Sequence, residues 1–174
     1  MNRRAKVISI ILHVLFVVIV YVFQGMVFPY LRVYGMVPLL LPIVCAGIAV
    51  YEGCHAGGIA GLFAGILCDA SFNEPVGVFM MMLTLTGLFI GALADTVLTR
   101  GFVSYFLSCV FILMLSAIVQ IFPLIFFAGI PYMPLLTVAL WQTAYSLIFA
   151  LPLWLIVRAL GKRAQEAASR ERPL

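Results

Sequence analysis

Apolar residues run almost without interruption from Val7 to Val157, and short polar or Pro/Gly-bearing stretches cut the run into segments. The cuts fall at Phe28–Gly35, Glu52–His55, Ala70–Pro75, Thr99–Gly101 and Ala128–Pro134. Between them lie six candidate helices, at about 7–28, 37–51, 55–69, 76–98, 102–127 and 135–157. A helix that crosses a ~30 Å hydrocarbon core needs about 20 residues, so four of the six have full length and two are short. The second opens with Pro38 and Pro42. Pro38 suits the approach to a first turn, and Pro42 either kinks a helix or frames a short one. The first run is longer than the 7–15 apolar residues of a secretory leader, and no small-x-small cleavage site follows it, so it is expected to remain as a span.

Composition fixes the environment. The 174 residues are 66% apolar and 9% charged, with a mean hydropathy of +1.23. Soluble domains carry about 25% charged residues. The expectation is an all-α integral membrane protein with six transmembrane helices. Residues 1–6 form a basic head, and the charged, Ala-rich tail 158–174 is expected to be a frayed surface helix. Charge sets the orientation. Six spans put Arg3, Arg4, Lys6, Arg100, Arg158, Lys162, Arg163, Arg170 and Arg172 on one side and Arg32 on the other. That asymmetry predicts two cytoplasmic termini. It fits anionic lipid headgroups and offers nothing for nucleic acid.

The densest pattern lies at the third segment. Glycines stand at 53, 57, 61 and 65, and the next step of four reaches Asp69. On a helix, this spacing makes an inclined row without side chains, into which another backbone can press. The row has an echo. Gly61-Leu-Phe-Ala-Gly65-Ile-Leu-Cys-Asp69 shares six of nine residues with Gly87-Leu-Phe-Ile-Gly91-Ala-Leu-Ala-Asp95, 26 positions later. On consecutive antiparallel helices the two copies would form an inverted repeat. Gly57, Gly61, Gly65, Gly87 and Gly91 are therefore the candidate helix-docking and partner-binding residues.

Asp69 and Asp95 both close their helices, at the end where the macrodipole disfavours an anion. Something must compensate each one. On the expected outer face of Asp69 the one cation is Arg32, and on the inner face Arg100 stands five residues after Asp95, which gives two candidate charged pairs. An Arg32–Asp69 pair would tie the first loop to the end of the glycine helix.

Catalytic and metal signatures do not appear. The chain lacks HExxH, GxSxG and Walker A patterns, and His13 and His55 lie on different segments. Cys45, Cys54, Cys68 and Cys109 contain no CxxC pair. On one helix, Cys54-His55 and Cys68-Asp69 would stand ~20 Å apart, too far to share an ion. Ser104, Ser108 and Ser116 follow helical spacing and read as hydrogen-bonding partners of a neighbouring helix. His13 and Gln24 in the first span, and Gln120, Trp141, Gln142 and Trp154 later, read as bundle-facing or interfacial. No catalytic residue, cofactor or metal is expected, and the charges sit at span ends rather than along an ion path.

Size, six short spans, Pro38 and Pro42 ahead of the second span, and the run Gly57-xxx-Gly61-xxx-Gly65-xxx-Asp69, then Pro75-x-Gly77 and Gly87-xxx-Gly91, together resemble the rod shape-determining MreD family. The resemblance covers about residues 5–160, with its specific part at 52–95. It implies a non-catalytic scaffold in the bacterial inner membrane that binds MreC directly and works with MreB, RodA and its transpeptidase in lateral peptidoglycan synthesis. It also implies a fold like the substrate-binding subunits of energy-coupling-factor vitamin transporters. Such a subunit is the alternative reading of function. Against it, residues 7–20 lack the small-xxx-small row that those subunits use to dock their coupling partner.

Overall fold

The computed structural model of the protein describes residues 3–27, 30, 37–72, 77–96, 101–126 and 132–170. They form six helices: α1 (Arg3–Val27), α2 (Leu40–Glu52), α3 (Cys54–Phe72), α4 (Val78–Thr96), α5 (Phe102–Phe126) and α6 (Tyr132–Arg170). Four carry stretches long and apolar enough to cross a membrane: Cys54–Ser71, Val78–Thr96, Phe102–Phe122 and Met133–Ala159. In α1 and α2 the corresponding described stretches, Ile10–Met26 and Leu40–Glu52, are shorter.

The helices are arranged as a ring around a centre. α2 touches each of the other five, which follow one another around it in the order α1, α3, α4, α5, α6 and back to α1. Every residue of α2 from Leu40 to Val50 is buried. A helix that is apolar on all sides belongs inside a bundle, and the sequence LLPIVCAGIAV offers no polar face. Small residues let the ring close on it. At Gly47 a Cβ would lie 3.1 Å from the Tyr105 ring and 3.2 Å from Val157, so bare backbone accommodates α5 and α6 together.

The short expected span at 37–51 is thus the central helix. Its 13 residues rise about 20 Å, two thirds of a ~30 Å core. Pro42 does not kink it. Helix begins at Leu40, which places Pro42 in the first turn, where its N–H would have no intrahelical acceptor in any case. The glycine helix is longer than its expected 55–69, because helix continues through Asp69 to Phe72. α6 also runs on past the apolar segment, as unbroken helix to Arg170.

Outward faces are large and apolar. On α4, Met81, Leu85, Phe89 and Leu93 recur at intervals of four and are all exposed. α1 likewise exposes Ile11, Leu15, Ile19 and Val22, at steps of four, four and three. Polar residues point the other way: His13, Asp69, Thr86, Ser104, Ser108, Ser116, Thr143 and Ser146 are buried. This inversion of the soluble pattern is what a lipid solvent selects, because a polar group facing hydrocarbon has no partner.

Candidate functional site

The glycine row is filled by the chain itself. α3 and α4 lie antiparallel with their backbones in contact. A Cβ at Gly57 would stand 2.6 Å from the Gly87 carbonyl oxygen, and one at Gly91 would stand 2.5 Å from the Cys54 Cα. At Gly61 the added carbon would strike the Leu83 carbonyl, at Gly65 the Met80 backbone, and at Gly87 the Gly57 carbonyl. All five candidate docking glycines are buried. Their shared contact is the α3–α4 crossing, so among the described residues each glycine of the two rows faces backbone of this chain.

Asp69 ends that crossing at one side. Its carboxylate accepts three backbone N–H groups from the start of α4: Gly77 at 2.9 Å and Met80 at 3.1 Å on Oδ2, and Phe79 at 2.9 Å on Oδ1. Gly77 is the N-cap, since its carbonyl takes the first bond of α4 from Met81 N–H. N-cap residues of other helices satisfy these donors with their own side chains. Gly77 has none, and Asp69 supplies the oxygens from the neighbouring helix. The anion that the α3 macrodipole disfavours is therefore held by the positive end of α4. Gly77 adopts φ 104, a conformation that glycine takes without strain.

Asp95 does the same at the other side. Its Oδ2 accepts the Cys54 N–H at 3.1 Å, at the first residue of α3. Gly53 joins α2 to α3 with φ 89, donating to Ala49 O and accepting from Gly57 N–H. A Cβ on it would lie 2.7 Å from Asp95 Oδ1, so the position excludes side chains twice, by backbone conformation and by space. The two cations proposed as charge partners, Arg32 and Arg100, lie outside the described residues.

These contacts obey one symmetry. Moving one residue of a pair forward by 26 and its mate back by 26 turns Gly61–Leu83 into Gly87–Gly57, and Asp69–Met80 into Asp95–Cys54. The sequence echo is thus an inverted repeat in space, with a local two-fold axis across the crossing. Cys45 of α2 sits on that axis. Its thiol points toward Gly57 O and Leu83 O, themselves a symmetry pair, at 3.8 Å each.

The buried start of α2 is capped from outside in a similar way. Leu39 N–H donates to Ser146 Oγ at 3.0 Å, and Leu40 N–H to Gln24 Oε1 at 3.1 Å. Gln142 Nε2 donates to Val37 O at 3.0 Å. Ser146 lies about 20 Å along the α6 span from Met133, so residues 37–39 are non-helical backbone at membrane depth. Such backbone is tolerated only where protein satisfies it, and these three side chains do so. At the far end of α2, Trp154 Nε1 donates to Tyr51 OH at 2.6 Å and Phe102 meets the Trp154 ring edge-on at 5.2 Å. Tyr105 OH donates to Ala150 O at 3.1 Å, joining α5 to α6.

Sequence reasoning singled out the glycines and both aspartates. It missed the N–H groups of Gly77, Phe79 and Met80 as donors to Asp69, that of Cys54 as the donor to Asp95, and Cys45 as the residue on the axis. The available signal was a second helix beginning nine residues after Asp69, with its own matching Asp at the other end. Among the described residues, no three His, Cys, Asp or Glu side chains gather as metal ligands would. What the arrangement does chemically is hold helices together by donor–acceptor pairs inside lipid.

Fold and centre define a multi-helix integral membrane protein whose polar groups serve its own packing. The chain matches the family model of rod shape-determining protein MreD over residues 2–164, nearly its whole length, and it belongs to that family. It is a membrane protein of the machinery that determines rod cell shape. No curated protein and no solved structure matches it.

Proposed function

We propose that the protein is a non-catalytic scaffold of the cell-elongation complex. In this reading it spans the inner membrane six times with both termini cytoplasmic, binds MreC directly, and supports lateral peptidoglycan synthesis alongside MreB, RodA and its transpeptidase. One observation carries it. The side chains of Asp69, Gln24, Gln142, Ser146 and Asp95 bond to the backbone of neighbouring segments, which is the chemistry of support rather than of turnover.

With the glycine rows closed internally, a partner's transmembrane helix meets the outward faces, of which the Met81–Leu85–Phe89–Leu93 stripe on α4 is the most regular. The likeness to the substrate-binding subunits of energy-coupling-factor transporters belongs to the same reading at the level of helix arrangement. Their function fits less well, because the outward face of α1 is Ile11, Leu15, Ile19 and Val22, with no small-residue row for a coupling protein.

The test is purification of the tagged chain from native membranes in mild detergent, with identification of what comes along. A single-span periplasmic coiled-coil protein and cell-wall synthases support the scaffold. Recovery of ATP-binding-cassette ATPases with a coupling membrane protein overturns it in favour of the transporter subunit.

A further inference from the structure

Trp141 lies on the outer face of α6. The α6 residues Ala139, Thr143, Ser146, Ala150, Leu153 and Val157 are buried and form one stripe along the helix. At about 100° per residue Trp141 falls opposite that stripe, and it is 67% exposed. α6 packs against α1, α2 and α5, so this face looks away from the bundle. A tryptophan in a span is expected to face the bundle or to sit at the membrane boundary, and Trp141 does neither.

Its depth follows from the other end of the helix. Trp154 Nε1 bonds Tyr51 OH at 2.6 Å, and the Arg158 guanidinium lies 5.1 Å over the Trp154 ring. Amphipathic rings beside a cation mark a membrane–water boundary. From Trp154 back to Met133, where the apolar stretch opens, α6 rises about 32 Å, the thickness of a ~30 Å core. Trp141 is then about 12 Å in from Met133 and within about 4 Å of the midplane. Side chains on a helix lean toward its N-terminus. Even a full turn of lean, about 5 Å, leaves the indole N–H about 7 Å inside the hydrocarbon. Acyl chains carry no acceptor for it, and among the described residues no group takes this hydrogen.

The same face carries an acceptor. Thr137, one turn before Trp141, is exposed, and its hydroxyl donates to Met133 O at 3.0 Å, which leaves its oxygen able to accept. The lean of the indole brings it to the height of Thr137. Ala144, on the other side of Trp141, is exposed as well and stands at the midplane. Donor, acceptor and a small contact point thus share one stripe of one helix. In a two-fold dimer with its axis along the membrane normal, equal heights face each other. Two α6 helices crossing at Ala144 approach closely there, and each indole reaches the Thr137 oxygen of the other copy.

We propose that the outer face of α6 docks a second copy of this chain, with Trp141 as the anchor. A helix of another protein would have to bring its own acceptor to this height, whereas the chain already carries one. Lipid fails on depth, because its ester and phosphate oxygens lie outside the hydrocarbon. The site is separate from the α4 stripe, since α5 stands between α4 and α6 in the ring.

The test is self-association of the full chain in lipid bilayers, followed by single-molecule photobleaching as protein density is varied. Ala144→Cys, oxidised in the membrane, should give a covalent dimer that neither the parent nor Met81→Cys on the α4 stripe gives. Trp141→Phe keeps a ring and removes the N–H; the dimer loses two bonds, and its dissociation constant should rise roughly tenfold. Thr137→Val removes the acceptor at similar size and should cost the same factor. The double variant should cost no more than either, because both remove the same bonds. Trp141→Ala should raise the constant about a hundredfold, as loss of an interface anchor does. These side chains lie opposite the buried stripe, so the unfolding midpoint of the monomer in detergent should stay at the parental value.

A chain that is monomeric at every density overturns the proposal, as does dimerisation that Trp141→Ala leaves unchanged. So does a cross-link no stronger from Ala144→Cys than from Met81→Cys. Photo-crosslinking from position 144 in native membranes that captures a different protein in place of a second copy overturns it too. Additive losses in the double variant would refute the Trp141–Thr137 bond on which the choice of occupant rests. Should Trp141→Ala not fold, Trp141→Phe and the cross-link decide the matter.

Discussion

Replacing Asp69 by Ala would remove the oxygens from three donors at once. Gly77, Phe79 and Met80 N–H all point at this carboxylate, and Asp69 is 7% exposed. Hydrogen bonds to a charged acceptor contribute about 1.5–3 kcal/mol each. Their sum is an upper bound, because Gly77 and Met80 are only half-buried and water can reach part of that turn. Counting the buried Phe79 bond in full and discounting the other two gives a loss of roughly 4 kcal/mol. For a chain of this size that corresponds to a fall of about 10 °C in the unfolding midpoint, measured on purified protein in one detergent.

Asp69→Asn keeps an acceptor oxygen but turns an NH2 toward the donors, so it should fall between parent and Ala. The charge-pair alternative makes a different forecast. If Asp69 were held mainly by Arg32, the double swap Asp69→Arg/Arg32→Asp would restore the midpoint. Capping predicts no recovery, since an arginine offers only donors to three N–H groups. Restoration by the swap, or an Ala variant within 2 °C of the parent, would refute the argument.

Three further outcomes follow from the same geometry. Gly65→Leu should prevent the α3–α4 crossing, because even a Cβ meets Met80 backbone rather than a movable side chain; loss of folded protein in detergent size-exclusion chromatography is the readout. Ser146→Ala should leave the Leu39 N–H orphaned in the membrane interior and lower stability by about 1–3 kcal/mol, measured as a midpoint shift, with Ser146→Thr recovering part of it. Asp95→Ala should cost less than Asp69→Ala in the same assay, about 1 kcal/mol, because Asp95 is exposed and water can replace its bond to Cys54.

Much of the helix inventory is legible from hydropathy alone, because in lipid the apolar runs are the structure. What hydropathy does not show is which helix is inside. α2 reads as one more span of ordinary composition. Its position follows from having no polar face and from a length of 13 residues, which suffices only where other helices, and not lipid, surround it. The glycine spacing announced a close approach without naming the partner, since any backbone fits a bare groove. At Asp69 the demand is legible in the sequence, because an anion at a helix C-terminus needs compensation. The backbone donors that meet it are not, since an N–H group leaves no charged residue in the sequence to find. Gln24 and Gln142 are legible as polar residues within spans, but the target they share with Ser146, the buried start of α2, is set by three segments distant in sequence.

The two-fold relation between α3 and α4 bears on how the bundle keeps its shape. Each helix of the pair carries, near its C-terminus, the aspartate that caps the other, so both caps depend on the two helices being in register. A slip of one turn, about 5.4 Å, would break the Asp69 and Asp95 caps together and drive glycine carbonyls against side chains. Cys45, on the axis, adds a third point from the central helix that reads both carbonyls at equal distance. Register is thus fixed at both ends and in the middle, by groups that cost nothing in lipid only when all are paired. A hairpin locked in this way, docked on a helix buried on every side, gives α1, α5 and α6 a rigid post to lie against.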